Sequence, residues 1–188
     1  QSPKLTVSEA LANPQSDFNR VVLPPMSYVH EQDKINNRLP NAEKFIVEHK
    51  LNEVFGPSTS NIGIVTQGGM YNGVMRALQR VGLADIYGET SVPIYCLNVT
   101  YPLVASEFEE FCEGKDHILV VEEGQPDHIE QNLCSILYKA NGTTKVYGKD
   151  VLPMAGEYTG KVLLNGVTEF LKTAAPHLLP DHIRSPND

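Results

Sequence analysis

Residues 61–124 constrain the fold more than any other part of the chain, because three apolar runs alternate there with helical patterns. The runs lie at residues 62–66, 92–99 and 117–121, are rich in β-branched side chains, and are each ended by a loop. Strands that are apolar on both faces and separated by helices pair in parallel, since each crossover places a helix on a face of the sheet. The sequence therefore predicts a three-layer α/β/α fold with a mostly parallel sheet of about five strands.

The connections between these strands have the periodicity of amphipathic helices. Apolar residues recur at helical spacing from Met70 to Val81, and Gly82 then occupies the position of a helix C-cap glycine. A shorter helix is predicted before Gly114. The remaining predicted elements of this domain are a helix, a fourth parallel strand and a last helix, at residues 129–140, 144–147 and 161–174.

The residues ahead of this domain predict an N-terminal helical arm. Their pattern includes a helical turn at residues 7–12 and a helix from Pro40 to about His49, which residues 51–55 are expected to continue or restart. Residues 21–23 are a candidate edge strand, because prolines follow them. We divide the chain into an arm with its linker, the α/β domain and a polar tail, at residues 1–57, 58–176 and 177–188.

Composition excludes two classes of function. The formal net charge is -8, and no cluster of Lys or Arg is longer than a pair, which argues against nucleic-acid binding. No apolar run approaches the roughly 20 residues that span a bilayer. The three cysteines, Cys96, Cys112 and Cys134, are widely spaced within predicted helices and strands. They indicate buried thiols in a reducing compartment, so we expect a cytoplasmic protein without a metal site.

The loops at the carboxyl ends of the strands supply the candidate site. In an open parallel sheet, ligands bind beyond these ends, where consecutive connections leave in opposite directions. The loops to consider are residues 66–69, 98–103 and 122–126. The candidate crevice-lining residues are Thr66, Gln67, Gly68, Gly69, Thr100, Tyr101, Glu122 and Glu123.

These residues do not make a complete catalytic set. The Gln67-Gly68-Gly69 turn precedes a helix, where backbone N–H groups bind anions. It lacks both the Gly-x-Gly-x-x-Gly spacing and the Lys-Ser/Thr of a P-loop, so a tight turn is the ordinary interpretation. Glu122 and Glu123 are a candidate acid and base, but adjacent residues of an extended chain point to opposite sides. We therefore assign no catalytic residue.

Several of these segments together resemble a known family. Three segments resemble the transketolase C-terminal domain of thiamine-diphosphate enzymes. They are the strand and glycine loop at residues 61–69, Leu-Asn-Val-Thr-Tyr-Pro-Leu at 97–103 and Leu-Val-Val-Glu-Glu-Gly at 119–124. Val-Glu-Glu-Gly-Gln-Pro at 121–126 and Gly-Lys-Asp-Val-Leu-Pro at 148–153 extend the match. With them the chain is similar to indolepyruvate ferredoxin oxidoreductase and related 2-oxoacid:ferredoxin oxidoreductases.

The resemblance implies a strand order and a chemistry for the whole enzyme. The first core strand would lie centrally, between the second and third, with an antiparallel edge strand supplied by residues 21–23. The crevice would then fall between the loops at residues 66–69 and 122–126. The whole enzyme would oxidatively decarboxylate a 2-oxoacid to an acyl-CoA, using thiamine diphosphate, Mg²⁺ and coenzyme A. Its [4Fe-4S] clusters would pass the electrons to ferredoxin.

The chain departs from that family in what it lacks. It contains no Gly-Asp-Gly metal motif, and three scattered cysteines cannot hold an iron-sulfur cluster. We therefore expect one piece of a longer protein, inactive alone, that binds no cofactor itself. It would pack against the thiamine-binding domains of its parent, and a homodimer is also possible. Two alternatives stay open: a free-standing flavodoxin-like module that binds a small ligand or anion through residues 67–69, and an interaction scaffold with an exposed apolar patch at the sheet edge or at residues 153–158.

Overall fold

A computed structural model describes residue 12 and residues 22–184 of the chain. The helical turn predicted at residues 7–12 lies outside this part, apart from Ala12. The chain divides into two units, residues 1–42 and 43–188. No helix in the described part combines the length and the apolar character that a membrane crossing requires. The predicted three-part division of the chain, with boundaries after residues 57 and 176, stays a prediction.

The second unit contains a single sheet with helices between its strands. Its strands are β1 (Glu53–Phe55), β2 (Ile62–Gln67), β3 (Ile94–Leu97), β4 (His117–Val121) and β5 (Lys145–Tyr147). Over residues 22–184, the α-helices are α1 (Met26–Asp33), α2 (Leu39–Glu48), α3 (Tyr71–Arg80), α4 (Ala105–Cys112), α5 (His128–Lys139), α6 (Gly160–Ala174) and α7 (Asp181–Arg184). Short 3-10 turns lie at Gly68–Met70 and Pro176–Leu178.

The first unit is helical where it is described. Helix α1 buries no side chain and is followed directly by a π-helical stretch, Lys34–Arg38. Side chains one turn apart bond across the junction of these two segments. Asn36 donates to Gln32 at 3.1 Å, and Asn37 donates to Asp33 at 3.0 Å. The sequence predicted no helix at residues 26–38, because this segment has no apolar stripe.

The strand order is β1-β3-β2-β4-β5, with β2 between β3 and β4. Strands β3, β2, β4 and β5 pair in parallel, and β1 pairs antiparallel with β3. This order confirms the mostly parallel five-stranded sheet and the central position of the first core strand.

The edge strand was assigned to the wrong residues. It is Glu53–Phe55, whereas Val22 and Leu23 belong to no strand and Val21 lies outside the described residues. The preceding helix ends at Glu48, close to the predicted end at about His49, because Lys50 adopts a left-handed conformation, with φ of 49°, and the N–H of Leu51 bonds to the carbonyl of Ile46 at 3.0 Å. The expectation that residues 51–55 continue or restart this helix was wrong, because residues 53–55 form β1. Glycine is the usual residue at this position, so the lysine gave no sequence signal against a continuation of the helix.

Helices cover both faces of the sheet, which confirms the three-layer architecture. Helices α3 and α6 pack on one face, against β2 side chains such as Ile62 and Ile64. Helices α4 and α5 pack on the other face, against Val65 and Tyr95. The two faces therefore form separate hydrophobic cores, as expected when successive side chains of a strand point to opposite sides.

Candidate functional site

The connections change direction between β2 and β4, because the connection from β2 runs toward β3 and the connection from β4 runs toward β5, and this is where the crevice is predicted. The loops after these two strands meet. The side-chain oxygen of Gln67 accepts a hydrogen bond of 3.1 Å from the N–H of Glu123. This bond joins the two walls of the crevice and occupies one of its backbone donors.

Glu122 stabilises the start of helix α5. Its side chain is buried, with the residue only 5% exposed. Its two carboxylate oxygens accept from the N–H of Ile129 at 3.1 and 2.9 Å, and one of them also accepts from Glu130 at 3.3 Å. These N–H groups have no partner within the helix, and Asp127, at the N-cap, makes no side-chain cap. A carboxylate placed here compensates the donors and interacts favourably with the helix dipole.

A second set of contacts, which we call the Lys149 network, joins Glu122, Glu123, Lys149 and Tyr158. The ammonium of Lys149 donates to the backbone carbonyl of Glu122 and, at 2.8 Å, to the hydroxyl of Tyr158. That hydroxyl donates to the carbonyl of Pro153 at 2.6 Å, and the carboxylate of Glu123 accepts from the N–H of Tyr158. The network ties residues 149–158 to the end of β4.

The Gly148-Lys149-Asp150 motif is explained by the same contacts. A side chain at Gly148 would place its Cβ 2.1 Å from a carboxylate oxygen of Glu130. That oxygen accepts from the N–H of Lys149 at 2.9 Å, and Asp150 accepts from the N–H of Gly148 at 2.8 Å. Lys149 was not among the candidate site residues. The signal that could have found it was its place in the motif on which the family resemblance rests.

The other candidate residues occupy three kinds of position. Thr66 is buried, and its hydroxyl donates to the carbonyl of Gln67 at 3.2 Å. Gly68 lies so close to the side chain of Asn98 that a Cβ would approach its oxygen to 2.8 Å, whereas Gly69 faces open space. Thr100 and Tyr101 are exposed after β3, on the opposite side of β2 from Glu122. The structure thus brings Gln67, Glu122 and Glu123 together and leaves Thr100 and Tyr101 apart from them.

A further polar cluster, which the sequence did not indicate, lies beside the edge strand. We call Asn52, Tyr95 and Glu107 the edge cluster. The hydroxyl of Tyr95 donates to the carboxylate of Glu107 at 2.6 Å, and the amide of Asn52 donates to both groups at 3.2 and 2.9 Å. Burial, together with the Glu107 carboxylate, raises the pKa of Tyr95 above its usual range. The only sequence signal was a tyrosine inside an otherwise apolar strand.

The cysteines differ in exposure. Cys96 and Cys112 are buried, but Cys134 is exposed, so the expectation of three buried thiols was wrong. Cys134 lies on α5 next to the buried Leu133, one position outside the apolar stripe. Burial raises the pKa of Cys112 to about 12, which keeps this thiol protonated and unreactive. Within residues 22–184 no group of three or more His, Cys, Asp or Glu side chains could hold a metal ion.

Comparison with known proteins gives a consistent set of similarities. Residues 52–169 match the model of a family described as the indolepyruvate oxidoreductase domain. Over 132 residues the chain is 36% identical to the indolepyruvate oxidoreductase subunit IorA of Methanothermobacter thermautotrophicus, a match that covers 69% of this chain and 20% of that protein. The corresponding subunit of Pyrococcus horikoshii is 28% identical over 141 residues, covering 73% of this chain and 21% of the relative. The chain therefore spans about a fifth of the length of these relatives.

A solved structure shares the fold. It is the 2-oxoglutarate:ferredoxin oxidoreductase from Magnetococcus marinus, determined with 2-oxoglutarate, coenzyme A and succinyl-CoA bound. The match has a TM-score of 0.51 and 18% sequence identity, and it covers 80% of this chain and 24% of that one.

Proposed function

The chain belongs to the indolepyruvate oxidoreductase domain family, and from this premise we propose that it is a non-catalytic structural domain of a thiamine-diphosphate-dependent 2-oxoacid:ferredoxin oxidoreductase. In this proposal the parent enzyme oxidatively decarboxylates an aryl or other 2-oxoacid to its acyl-CoA, in the cytoplasm. The domain packs beside the thiamine-binding domains and completes the assembly.

The observation that carries this proposal is the use of the polar groups at the carboxyl ends of β2 and β4. A catalytic carboxylate must be able to reach a substrate proton. Glu122 is instead buried against the N–H groups of α5, and Glu123 holds the N–H of Tyr158. The side-chain oxygen of Gln67 is bonded to the N–H of Glu123. These groups hold the domain's own loops together, which is the role of a supporting layer.

The residues do not fit the cofactors of the proposed parent. A [4Fe-4S] cluster needs four thiolates, and the chain has three cysteines, on β3, α4 and α5. The Mg²⁺ of thiamine diphosphate needs oxygen ligands, but the best-placed carboxylate, Glu122, is already bonded to the start of α5. In our proposal these groups are therefore held by other domains of the parent, and reduction of ferredoxin is an activity of the whole assembly.

Exposed apolar side chains support contact with neighbouring domains. Val54 on the edge strand is 59% exposed, and Met154 lies exposed in the loop that the Lys149 network holds. Ile86 and Tyr87 are also exposed, at the tip of a turn in which Asp85 accepts from the N–H of Tyr87 at 2.8 Å. In the proposed assembly these side chains would be covered by the neighbouring domains.

An activity assay tests the proposal. The purified chain is supplied with indolepyruvate or another 2-oxoacid, thiamine diphosphate, Mg²⁺ and coenzyme A, and reduction of an artificial electron acceptor is measured. We expect no reduction above the rate without protein, while an intact indolepyruvate oxidoreductase assayed in parallel turns over. Turnover that depends on the 2-oxoacid in the isolated chain would refute the non-catalytic role.

The alternative is a free-standing flavodoxin-like module that binds a small ligand or anion at residues 67–69. It is favoured by the start of the helix at Gly68, which no side chain caps, and by the open space at Gly69. Calorimetric titration of the chain with phosphate, nucleotides and flavin mononucleotide separates the two functions. Micromolar binding that a Gly69→Val substitution abolishes would favour the binding module.

A further inference from the structure

A cavity of about 470 Å³ lies within the second unit, between helices α3 and α6. Its lining consists of Arg76, Ala77, Arg80, Gly160, Lys161 and Leu164. Three of these six residues carry a positive charge, and none of the six carries a negative charge. The loops at residues 66–69 and 122–126 contribute nothing to the lining, so the cavity is distinct from the predicted crevice.

The three cations of this cavity are available to a ligand. Within residues 22–184 the side chains of Arg76, Arg80 and Lys161 make no hydrogen bond, ion pair or ring contact. On the same helix α6, by contrast, the ammonium of Lys172 is paired with the carboxylate of Glu169 at 2.8 Å. Acidic residues outnumber Lys and Arg in this chain by 23 to 15, so three cations that share one cavity without a carboxylate need an explanation.

The local charges repel each of these cations. Arg76 and Arg80 lie one helical turn apart on α3, at a spacing where like charges destabilise a helix. Lys161 lies in the first turn of α6, where the helix dipole favours an anion, and this turn contains no acidic residue. An anion bound among the three side chains would relieve both repulsions.

The sequence lets the two helices approach each other closely beside this cavity. Gly73 lies inside α3, where glycine is unfavourable, so its presence indicates a packing requirement. A Cβ at this position would come within 2.4 Å of the side chain of Leu163 on α6. Ala77, one turn later, is also small and is buried. The close approach brings the cation of α6 to the same cavity as the two cations of α3.

We propose that this cavity binds the phosphate group of a small phosphate monoester. A guanidinium donates in parallel to two phosphate oxygens, and an ammonium binds a further oxygen as a point charge. A phosphate monoester carries close to two negative charges at neutral pH, which suits three cations better than the one charge of a monocarboxylate. The site is separate from the non-catalytic role proposed above and does not depend on it.

The rest of the cavity has room for the carbon body of the ester. Its volume is in the range of small-molecule sites, about 300–1,000 Å³, and exceeds what a phosphate group alone requires. The uncharged part of the lining, formed by Ala77, Gly160 and Leu164, is apolar. A short alkyl body therefore packs against these residues while the phosphate contacts the cations.

Titration of the whole chain with propyl phosphate tests this proposal, at about pH 7.5 and constant ionic strength. NMR follows the side-chain N–H signals of Arg76 and Arg80, with Arg38, which is paired with Asp33 at 3.1 Å, as the internal control. We expect the first two signals to move and to saturate with a dissociation constant below about 1 mM, while Arg38 stays in place. Unmoved signals, shifts that do not saturate, or equal shifts at Arg38 would overturn the site.

Two further anions test the class of ligand. Succinate carries two negative charges on separate carboxylates and should bind at least about tenfold more weakly than propyl phosphate. Inorganic phosphate should also bind more weakly, because it lacks the body that contacts Ala77 and Leu164. Equal affinity for succinate would overturn the assignment to a phosphate, and equal affinity for inorganic phosphate would overturn the assignment to an ester.

Charge variants test the location. Arg76→Gln, Arg80→Gln and Lys161→Gln each remove one charge-assisted contact and should each lower the propyl phosphate affinity about tenfold, as measured by calorimetry. The matched control is Lys172→Gln, which removes an exposed cation from the same helix α6 and should bind as the unmodified chain does. All four positions are exposed, so circular dichroism should show an unchanged fold. Unchanged affinity in the first three variants, or an equal loss in Lys172→Gln, would refute the site.

Discussion

Lys115 and Lys149 have the same local geometry and opposite surroundings. Each holds its ammonium 4.8 Å from the centroid of an aromatic ring, that of Phe111 and that of Tyr158. Lys149 also donates to the carbonyl of Glu122 and the hydroxyl of Tyr158, whereas Lys115 donates to no residue of the described chain. Lys149 closes the carboxyl end of the sheet, where ligands usually bind, whereas Lys115 lines a cavity between β1 and α4.

This difference separates structural from available polar groups. At the carboxyl ends of the strands, the charged side chains of the Lys149 network are paired within the domain, so they stabilise loops. At the edge, the Asn52, Tyr95 and Glu107 cluster is paired while the adjacent ammonium is not. In a doubly wound sheet the topology indicates where a crevice forms. Whether a polar side chain in the crevice is available to a ligand depends on the hydrogen bonds and ion pairs that it already makes within the domain.

The substitution Glu122→Ala is the strongest test of a structural role for the polar groups at the carboxyl ends of the strands. It leaves the N–H groups of Ile129 and Glu130 without their acceptor in a buried position. We expect the free energy of unfolding to fall by about 2–3 kcal/mol in denaturant titrations. Amide hydrogen exchange should accelerate first at these two residues.

The control for this change is Glu109→Ala, at an exposed position on α4. It should alter the free energy of unfolding by less than about 0.5 kcal/mol. If Glu122→Ala were as mild as Glu109→Ala, the buried carboxylate would be free for another role and the comparison would fail.

Lys149→Met tests the cation of the same network. It removes two charge-assisted hydrogen bonds while keeping an unbranched side chain against the Tyr158 ring. We expect a loss of about 2 kcal/mol in the free energy of unfolding. Lys145→Met, which removes an ammonium held only over a ring, should cost less than about 0.5 kcal/mol. Equal losses would mean that ring contact, rather than hydrogen bonding, fixes Lys149.

Tyr95→Phe tests the edge cluster, with a smaller effect. It removes the hydroxyl that donates to Glu107, but Asn52 still donates to that carboxylate, so we expect a loss of about 1 kcal/mol at pH 7. Because the pKa of Tyr95 is raised in the folded state, its contribution is complete below the unfolded pKa of about 10 and declines above it.

The difference between Tyr95→Phe and the unmodified chain should therefore shrink between about pH 9 and pH 11. Tyr138→Phe is the control, since Tyr138 is exposed on α5. It should leave the free energy of unfolding unchanged at both pH values. A difference for Tyr95→Phe that stays constant with pH would show that the hydroxyl adds packing rather than a protonation-dependent bond.

Periodicity predicted the parts of the fold that depend on local pattern. The apolar stripe from Met70 to Val81 and the C-cap at Gly82 agree with α3 and with the φ of 77° at Gly82. The edge strand escaped because its three residues, Glu53–Phe55, are too short for a period and follow a helix end formed by lysine instead of glycine. Their strand conformation depends on pairing with β3, which no local pattern contains.

The site was predicted less completely than the fold, because pairing is a tertiary property. The family resemblance implied a crevice between the loops at residues 66–69 and 122–126, and the bond between Gln67 and Glu123 joins these loops. The partners of Glu122 lie seven and eight residues later, and Lys149 reaches it from 27 residues away. The sequence did not single out Lys115, whose stem packs in space that a side chain at Gly63, on β2, would restrict.

Lys115→Met is the smallest expected effect and the sharpest contrast with Lys149→Met. Replacing an ammonium whose charged form is disfavoured by the burial of its side chain, and placing a thioether against the Phe111 ring, should raise the free energy of unfolding by about 0.5–1 kcal/mol at pH 7. Since burial lowers the pKa of Lys115, the unmodified chain gains stability as the pH rises toward the unfolded value of about 10.4. The advantage of methionine should therefore shrink as the pH approaches about 10.4 and change no further above that value. A loss of more than about 1 kcal/mol at pH 7 would contradict this expectation, because it would mean that the ammonium stabilises the wall of the cavity as Lys149 stabilises its loop.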